Sequence, residues 1–219
     1  MLNDGDKGVI IQRDKKTYAV APHIPCGVIS PDNLKRIAAV AEKYQAAALK
    51  ITSASRIAIV GINEEDVDKI WAELGMEKGA AVGLCVRSIK SCPGTTFCKR
   101  GIQDSLSLGL KLDSKYHGLK LPSKFKIGVS GCPNQCAETC IKDLGFVGLP
   151  KGWQVLVGGN GGALPRLSKE LTKNVPTEQV FEIAEKVINF YKTNGRAHQR
   201  LGALIEKSGL EEFKKVILG

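Results

Sequence analysis

Four cysteines in two pairs are the residues of this chain whose types and spacing are best suited to chemistry. Cys92 and Cys98 form a C-x5-C pair, and Cys132 and Cys136 form a C-x3-C pair. Thiolates are soft ligands that select zinc, copper(I) or iron–sulfur clusters. Structural zinc sites usually place two to four residues between the cysteines of each pair. The C-x5-C spacing therefore favours an iron–sulfur cluster, with a zinc-bound interaction module as the alternative.

The cysteine count also bears on the compartment. Seven cysteines without an N-terminal leader pattern favour metal or redox chemistry over disulfides. The N-terminal residues are polar and lack the apolar core of a signal peptide, and no apolar run reaches the ~20 residues that span a bilayer. We therefore expect a cytoplasmic protein with no membrane partner. The three remaining cysteines are expected to be buried thiols packed as small apolar residues; they are Cys26, Cys85 and Cys140.

The charge balance indicates an anionic ligand or an acidic partner. The chain has 32 Lys and Arg against 22 Asp and Glu, which gives a net charge of +10. These charges are dispersed, and aromatic residues make up only 5%, too few for a base-stacking surface. The composition therefore does not indicate a nucleic-acid partner.

The N-terminal elements predict a small α+β layer. Strands are expected at 17–21, 48–52 and 56–62. Ser30 and Pro31 have the residue types that begin a helix, and Asn63 is expected to cap a second helix that stops at Gly75. This order predicts a ferredoxin-like half-domain over residues 1–78.

Residues 79–219 are predicted to form a second α+β domain, which positions the cysteines. Strands at 81–88 and 124–130 lead into the two cysteine loops, and a helix at 99–116 lies between them. A short helix is expected from Ala137, then a hairpin of 146–149 with 153–157. The tail is expected to be helical, with Thr177 capping the first helix and Gly209 separating two shorter ones.

The segments around the cysteines resemble a known family. Arg87 to Gly94, Lys126 to Pro133, and the glycine run from Gly158 to Gly162 are similar to segments of the sirohaem-dependent nitrite and sulfite reductases. The closest resemblance is to compact, single-repeat sulfite reductases of the assimilatory type, and to the sirohaem domain of NADH-dependent nitrite reductases. It covers nearly the whole chain.

The resemblance implies a two-cofactor centre and a six-electron reduction. Cys92, Cys98, Cys132 and Cys136 would hold a [4Fe–4S] cluster, and Cys136 would also bridge to the sirohaem iron. Sulfite would be reduced to sulfide, nitrite to ammonia, or both. The alternative is a non-catalytic electron-transfer or sirohaem-carrying iron–sulfur protein.

The resemblance also implies roles for further residues. Four basic side chains are candidate catalytic groups near the substrate anion: His23, Arg56, Lys124 and Lys126. In longer relatives an arginine stands two positions before Arg56 and another at the place of His23. The two lysines are expected on one face of a strand. The candidate cofactor-binding residues are Cys136, Arg87, Lys50, Asn134, Gly159, Asn160 and Gly161.

Partners follow from what the sequence does not contain. The glycine run does not fit the dinucleotide fingerprint, and no flavin motif is present. Electrons would therefore come from a separate donor protein, ferredoxin-like or a flavoprotein. Longer relatives contain two copies of this module, so the chain is expected to act as a monomer or a homodimer.

Overall fold

The computed structural model describes all residues from Met1 to Gly219 and divides them into two units, Met1–Gly83 and Leu84–Gly219. The boundary predicted after residue 78 lies five residues before this division. Both units combine helices with sheets, as the α+β prediction required. No helix of the structure is long and apolar enough to cross a membrane.

The first unit is a four-stranded antiparallel sheet with two helices. The sheet has the order β1-β2-β4-β3. Its strands are β1 (Val9–Ile11), β2 (Tyr18–Val20), β3 (Ala48–Ile51) and β4 (Ile57–Ile62), and its helices are α1 (Pro31–Lys43) and α2 (Val67–Leu74). The two helices contribute Ile37, Val40, Ile70 and Leu74 to a core shared with Tyr18, Val20 and Ile59 of the sheet.

The helix boundaries in this unit show which local signals were decisive. The Ser30 hydroxyl accepts a hydrogen bond from the Asn33 amide at 3.2 Å, and Pro31 follows it, so the predicted start is confirmed. Gly75 ends α2 in the left-handed conformation at φ 55°, also as predicted. The predicted cap at Asn63 is wrong, because a 3-10 turn at Glu64–Asp66 precedes α2 and the Asn63 side chain makes no capping bond. The short edge strand β1 was not predicted.

The second unit is built on a five-stranded mixed sheet of order β5-β6-β7-β8-β9. Strands β5, β6 and β7 run parallel, while β7, β8 and β9 are antiparallel. The strands are β5 (Lys90–Ser91), β6 (Ile127–Ser130), β7 (Leu144–Leu149), β8 (Gly152–Val157) and β9 (Lys169–Val175). The helices are α3 (Gly94–Phe97), α4 (Ser105–Tyr116), α5 (Thr177–Asn194), α6 (Leu201–Ser208) and α7 (Leu210–Leu218). The predicted hairpin, formed by β7 and β8, and the helical tail are confirmed.

Two predictions around the first cysteine loop are wrong. Residues 81–88 form no strand and make only isolated bridges, between Cys85 and Lys120 and between Val86 and Phe125. The helix predicted from residue 99 begins at Ser105, where the Asp104 carboxylate accepts a hydrogen bond from the Ser107 amide at 3.1 Å. Before this helix, the amides of Ile102 and Gln103 donate to the carbonyl of Gly131 in the second cysteine loop.

Three further predictions need correction before, in and after the second cysteine loop. The strand predicted at 124–130 begins only at Ile127, so Lys124 and Lys126 precede it and the argument that they share a strand face does not apply. A helix from Ala137 is excluded because Glu138 is left-handed at φ 56°, and a 3-10 turn at Thr139–Ile141 takes its place. Thr177 lies inside α5 instead of capping it, and its hydroxyl accepts a hydrogen bond from the Trp153 indole. Strand β9 was not predicted.

Candidate metal and cofactor site

The parallel pairing of β5 and β6 brings the two cysteine loops to the same edge of the sheet. Ser91, the last residue of β5, lies opposite Val129 of β6. Cys92 follows β5 directly, and its amide donates to the Val129 carbonyl at 3.1 Å. Because parallel strands end at a common edge, the loop that begins after Ser130 must start beside Cys92. The sheet register therefore places both cysteine pairs in one region.

The two loops meet at Gly131. Its amide donates to the Cys92 sulfur at 3.1 Å, and its carbonyl accepts from the amides of Ile102 and Gln103 at 2.8 and 3.0 Å. A side chain at Gly131 would lie 2.7 Å from the Gly94 α-carbon, so this close approach requires glycine. This hydrogen bond holds the Cys92 sulfur beside the start of the second cysteine loop.

Each loop is a series of tight turns. In the first, the Cys98 amide donates to the Gly94 carbonyl at 2.9 Å, and Gly94 is left-handed at φ 57°. In the second, Gln135 is left-handed and its amide donates to the Cys132 carbonyl at 3.2 Å. Cys98 and Cys136 are exposed, Cys92 is partly buried and Cys132 is buried. Asn134 is also exposed at the tip of the second loop.

The four thiols supply the donor chemistry of an iron–sulfur cluster. A [4Fe–4S] cluster takes one thiolate for each iron, so its ligands surround a volume. Four thiols on two adjoining, hydrogen-bonded loops match that requirement. Of the other cysteines, Cys26 and Cys85 are buried as predicted, whereas Cys140 is partly exposed.

A carboxylate that the sequence analysis missed lies two residues after Cys136. Glu138 accepts hydrogen bonds from Lys90 at 2.8 Å and from Lys142 at 2.9 Å. These bonds, from Lys90 first and then Lys142, lower the pKa of Glu138 to about 2. No sequence pattern indicates the contact, because 48 residues separate Lys90 from Glu138.

A second ion pair fixes the segment that contains Lys126. The Asp143 carboxylate is buried and accepts two hydrogen bonds from Arg200, at 3.0 and 2.6 Å. It also accepts the Lys126 amide at 2.7 Å. Burial raises the pKa of Asp143, and the Arg200 charge opposes that rise. Neither Arg200 nor its partner was among the predicted site residues.

Several cations of the second unit lie close enough to perturb one another. Burial lowers the pKa of Lys126, and the nearby charges of Lys142, Arg200 and Lys124 lower it further. Burial likewise lowers the pKa of the Arg87 guanidinium. Glu138 and Asp143 pair with Lys142 and Arg200, and the added positive charge of Lys124 and Lys126 suits a ligand that carries carboxylates. Sirohaem is a ligand of that kind, so this region fits it.

The glycine run packs against the segment that follows the second cysteine loop. A side chain at Gly159 would lie 2.8–2.9 Å from the backbone of residues 140–142, so glycine is required there. Asn160 is buried; its side-chain amide donates to the Leu164 carbonyl at 2.8 Å, and its side-chain oxygen has no hydrogen-bond partner. Gly161 is exposed. The run is therefore buried against residues 140–142 at its start and exposed from Gly161.

The remaining predicted residues lie in the first unit. His23 and Arg56 are both buried, with 7% and 6% of their surface exposed. The His23 amide donates to the Glu77 carbonyl at 2.8 Å, and a side chain at Gly79 would lie 3.2 Å from the Arg56 δ-carbon. The segment 77–79 therefore lies beside both His23 and Arg56. Lys50 is exposed on β3, and its ammonium group donates to the Ile51 carbonyl.

Comparison with known proteins agrees with this geometry. Residues 82–219 match the model of the nitrite and sulphite reductase 4Fe-4S domain, and residues 10–77 match the nitrite/sulfite reductase ferredoxin-like half domain. The chain belongs to the nitrite and sulfite reductase family. Membership confirms the fold prediction, an oxidoreductase activity, and a [4Fe–4S] cluster coupled to sirohaem.

Individual members of the family show different extents of overlap. The assimilatory-type sulfite reductase of Nitratidesulfovibrio vulgaris is 41% identical over 218 residues and aligned along the full length of both chains. A nitrite reductase [NAD(P)H] of Bacillus subtilis is 41% identical over 207 residues, but the chain spans only 26% of that enzyme. The crystal structure of dissimilatory sulfite reductase I shares the fold, with a TM-score of 0.83 at 16% identity; the match covers 92% of this chain and 69% of that one.

Proposed function

We propose that this protein reduces sulfite to sulfide, nitrite to ammonia, or both, with six electrons per substrate and oxygen released as water. Cys92, Cys98, Cys132 and Cys136 would hold the [4Fe–4S] cluster, and Cys136 would join it to the sirohaem iron. The observation that carries the proposal is the hydrogen bond from the Gly131 amide to the Cys92 sulfur, which links the two cysteine loops. The full-length similarity to an assimilatory-type sulfite reductase supports the same activity.

The two cofactors would supply electrons and an open iron coordination position, and the chain supplies charge and protons. Lys124 and Lys126 are proposed to attract the substrate anion and to donate protons to the oxygen that leaves. The lowered pKa of Lys126 supports this role, because such a lysine releases its proton more readily than an ordinary one. Arg87, which is partly buried, and Lys50 are proposed to pair with sirohaem carboxylates, as are the backbone and side chain of Asn134.

The backbone at the glycine run has a complementary proposed role. Gly161 is exposed and has no side chain, so it is proposed to offer its amide to a cofactor carboxylate. Gly159 is buried and is proposed to keep the run packed against residues 140–142, and the buried Asn160 fixes the turn between them. His23 and Arg56 are proposed as substrate-side groups. Their support is that both are buried ionisable residues beside the same segment, 77–79, in the first unit.

Electrons are proposed to arrive from a separate acidic redox protein, ferredoxin-like or a flavoprotein. The first cysteine loop supports this docking, because Phe97 beside the exposed Cys98 is 80% exposed. Lys99 and Arg100 follow directly and are also exposed. An exposed aromatic residue and two exposed cations on either side of a proposed cluster ligand suit an acidic partner, on a chain with a net charge of +10.

The test is spectroscopy followed by turnover. Anaerobically purified protein should contain iron and acid-labile sulfide, and should show a Soret band together with a longer-wavelength chlorin-type band. With a strong artificial reductant it should then consume sulfite or nitrite with six electrons per molecule. Cofactor-loaded protein that reduces neither anion would instead support a non-catalytic electron-transfer or sirohaem-carrying protein. A chain that takes up neither cofactor on reconstitution would contradict both.

A further inference from the structure

Glu138 occupies a backbone position that continues the second cysteine loop. Its amide donates to the Gln135 carbonyl at 2.7 Å, and its carbonyl accepts from the Ile141 amide at 3.1 Å. Both Gln135 and Glu138 are left-handed, at φ 50° and 56°. Non-glycine residues adopt this conformation rarely, and they keep it only where surrounding contacts impose it. The chain between Cys132 and Ile141 is therefore a series of constrained turns with Cys136 inside it.

The side chain of Glu138 joins that loop to two other parts of the sheet. One carboxylate oxygen accepts from Lys90 at 2.8 Å and the other from Lys142 at 2.9 Å. Lys90 belongs to β5, whose next residues lead into Cys92. Lys142 is buried, and its stem covers β6 so closely that a side chain at Gly128 would lie 2.9 Å from it. One carboxylate thus connects strand β5, which leads into the first loop, with the lysine that covers β6 and with the second loop.

We propose that Glu138 is a positioning residue, which fixes the second cysteine loop and hence Cys136 against the strand that leads to Cys92. The inference rests on the proposed cluster assignment and extends it to a residue that binds neither iron nor substrate. Cys132 is anchored directly at the end of β6, whereas Cys136 lies exposed four residues further along. The Glu138 contacts anchor the far end of that segment.

The test compares Glu138→Gln with Glu182→Gln in the cofactor-loaded protein. Glu182 pairs with Lys186 at 2.9 Å on the surface of α5, so the control removes the same charge from an ordinary helix pair. Iron and acid-labile sulfide are followed during incubation with an iron chelator, and the reduced cluster is examined by EPR. We expect Glu138→Gln to lose its cluster about fivefold faster than the control, which corresponds to about 1 kcal/mol for two partly exposed ion pairs.

Two further variants make the result specific to positioning. Glu138→Asp keeps the charge and tolerates the left-handed backbone, so it should restore part of the cluster lifetime. Lys90→Met removes one contact without touching the loop, so it should reproduce part of the loss even if Glu138→Gln folds poorly. Both Glu138→Gln and Lys90→Met should also broaden or shift the cluster EPR signal, whereas Glu182→Gln should not.

Several outcomes would overturn the proposal. If Glu138→Gln and Lys90→Met have the same cluster lifetime and EPR signal as Glu182→Gln, the contacts do not position the loop. Loss of sirohaem with an unchanged iron–sulfur content would show that the lysines serve the haem carboxylates instead. A parent protein that binds no cluster would refute the proposed function itself, so the two failures are distinguishable.

Discussion

Replacing Arg200 with methionine tests whether the buried ion pair behind Lys126 holds the second unit together. The Asp143 side chain is 1% exposed and that of Arg200 is 13% exposed. Asp143 accepts three hydrogen bonds, two from Arg200 and one from the Lys126 amide. Arg200→Met would leave the carboxylate buried with one donor. Breaking a buried pair in this way costs about 3 kcal/mol or more, so we expect a loss of about that size in the free energy of unfolding at neutral pH.

The loss should depend on pH with a definite sign. Burial already raises the pKa of Asp143 in the folded protein, and Arg200 opposes that rise. Without Arg200 the folded-state pKa rises further above the unfolded value. The folded variant then binds a proton more tightly than the unfolded chain. The loss in the free energy of unfolding, relative to the unmodified protein, is therefore largest above the folded-state pKa of Asp143. This loss should shrink as the pH falls from the folded-state pKa of Asp143 towards its pKa in the unfolded chain.

Urea unfolding measures both effects. In a Trp71→Phe background the fluorescence comes from Trp153, which is 1% exposed in the core of the second unit. Asp143→Asn combined with Arg200→Met should recover part of the loss, with a coupling energy of about 1 to 3 kcal/mol. A loss below about 1 kcal/mol at neutral pH, or an equal loss at neutral and mildly acidic pH, would refute the reasoning.

Three further predictions concern the cofactor site and its donor. Cys136→Ser should abolish the magnetic coupling between cluster and haem iron in EPR, and a variant with normal coupling would contradict the bridging role. Lys126→Arg should move the alkaline decline of kcat to higher pH, because Lys126 has a lowered pKa and loses its proton early, whereas arginine stays charged. If the pH of the decline does not change, the decline is due to another group. Lys99→Glu with Arg100→Glu should raise the KM for an acidic donor about tenfold at low ionic strength and much less at high ionic strength, with turnover by a small artificial reductant unchanged.

Local signals in the sequence were reliable where a single residue determines the backbone. Ser30 and Pro31 begin α1 because a hydroxyl and a fixed φ satisfy the first turn, and Gly75 ends α2 because glycine adopts the left-handed conformation without strain. The hairpin of β7 and β8 was predictable from two apolar runs joined by a short turn. These features depend on neighbours along the chain, so sequence alone carries them.

The failures occur where tertiary contacts override local preference. Apolar periodicity from residue 99 predicted a helix, but the amides of Ile102 and Gln103 bond to the Gly131 carbonyl, and the chain runs in turns and bends until Asp104. Glu138 has a good helix propensity, yet it is left-handed, and its carboxylate bonds to Lys90 and Lys142. The site residues Glu138 and Arg200 were missed for the same reason, since Lys90 is 48 residues from Glu138 and Asp143 is 57 residues from Arg200.

The spacing of the two cysteine pairs follows from the sheet that carries them. A pair of antiparallel strands can be joined by a two-residue turn, but parallel strands need a connection of about a dozen residues or more. Strands β5 and β6 are parallel, and the 33 residues between Cys98 and Cys132 include α4, which makes that connection. The cysteine pairs are therefore far apart in sequence because their loops leave the same edge of neighbouring parallel strands. A site on an antiparallel hairpin would place its ligand pairs much closer in sequence, so the long spacing is itself evidence for the parallel pairing that brings Gly131 against Cys92.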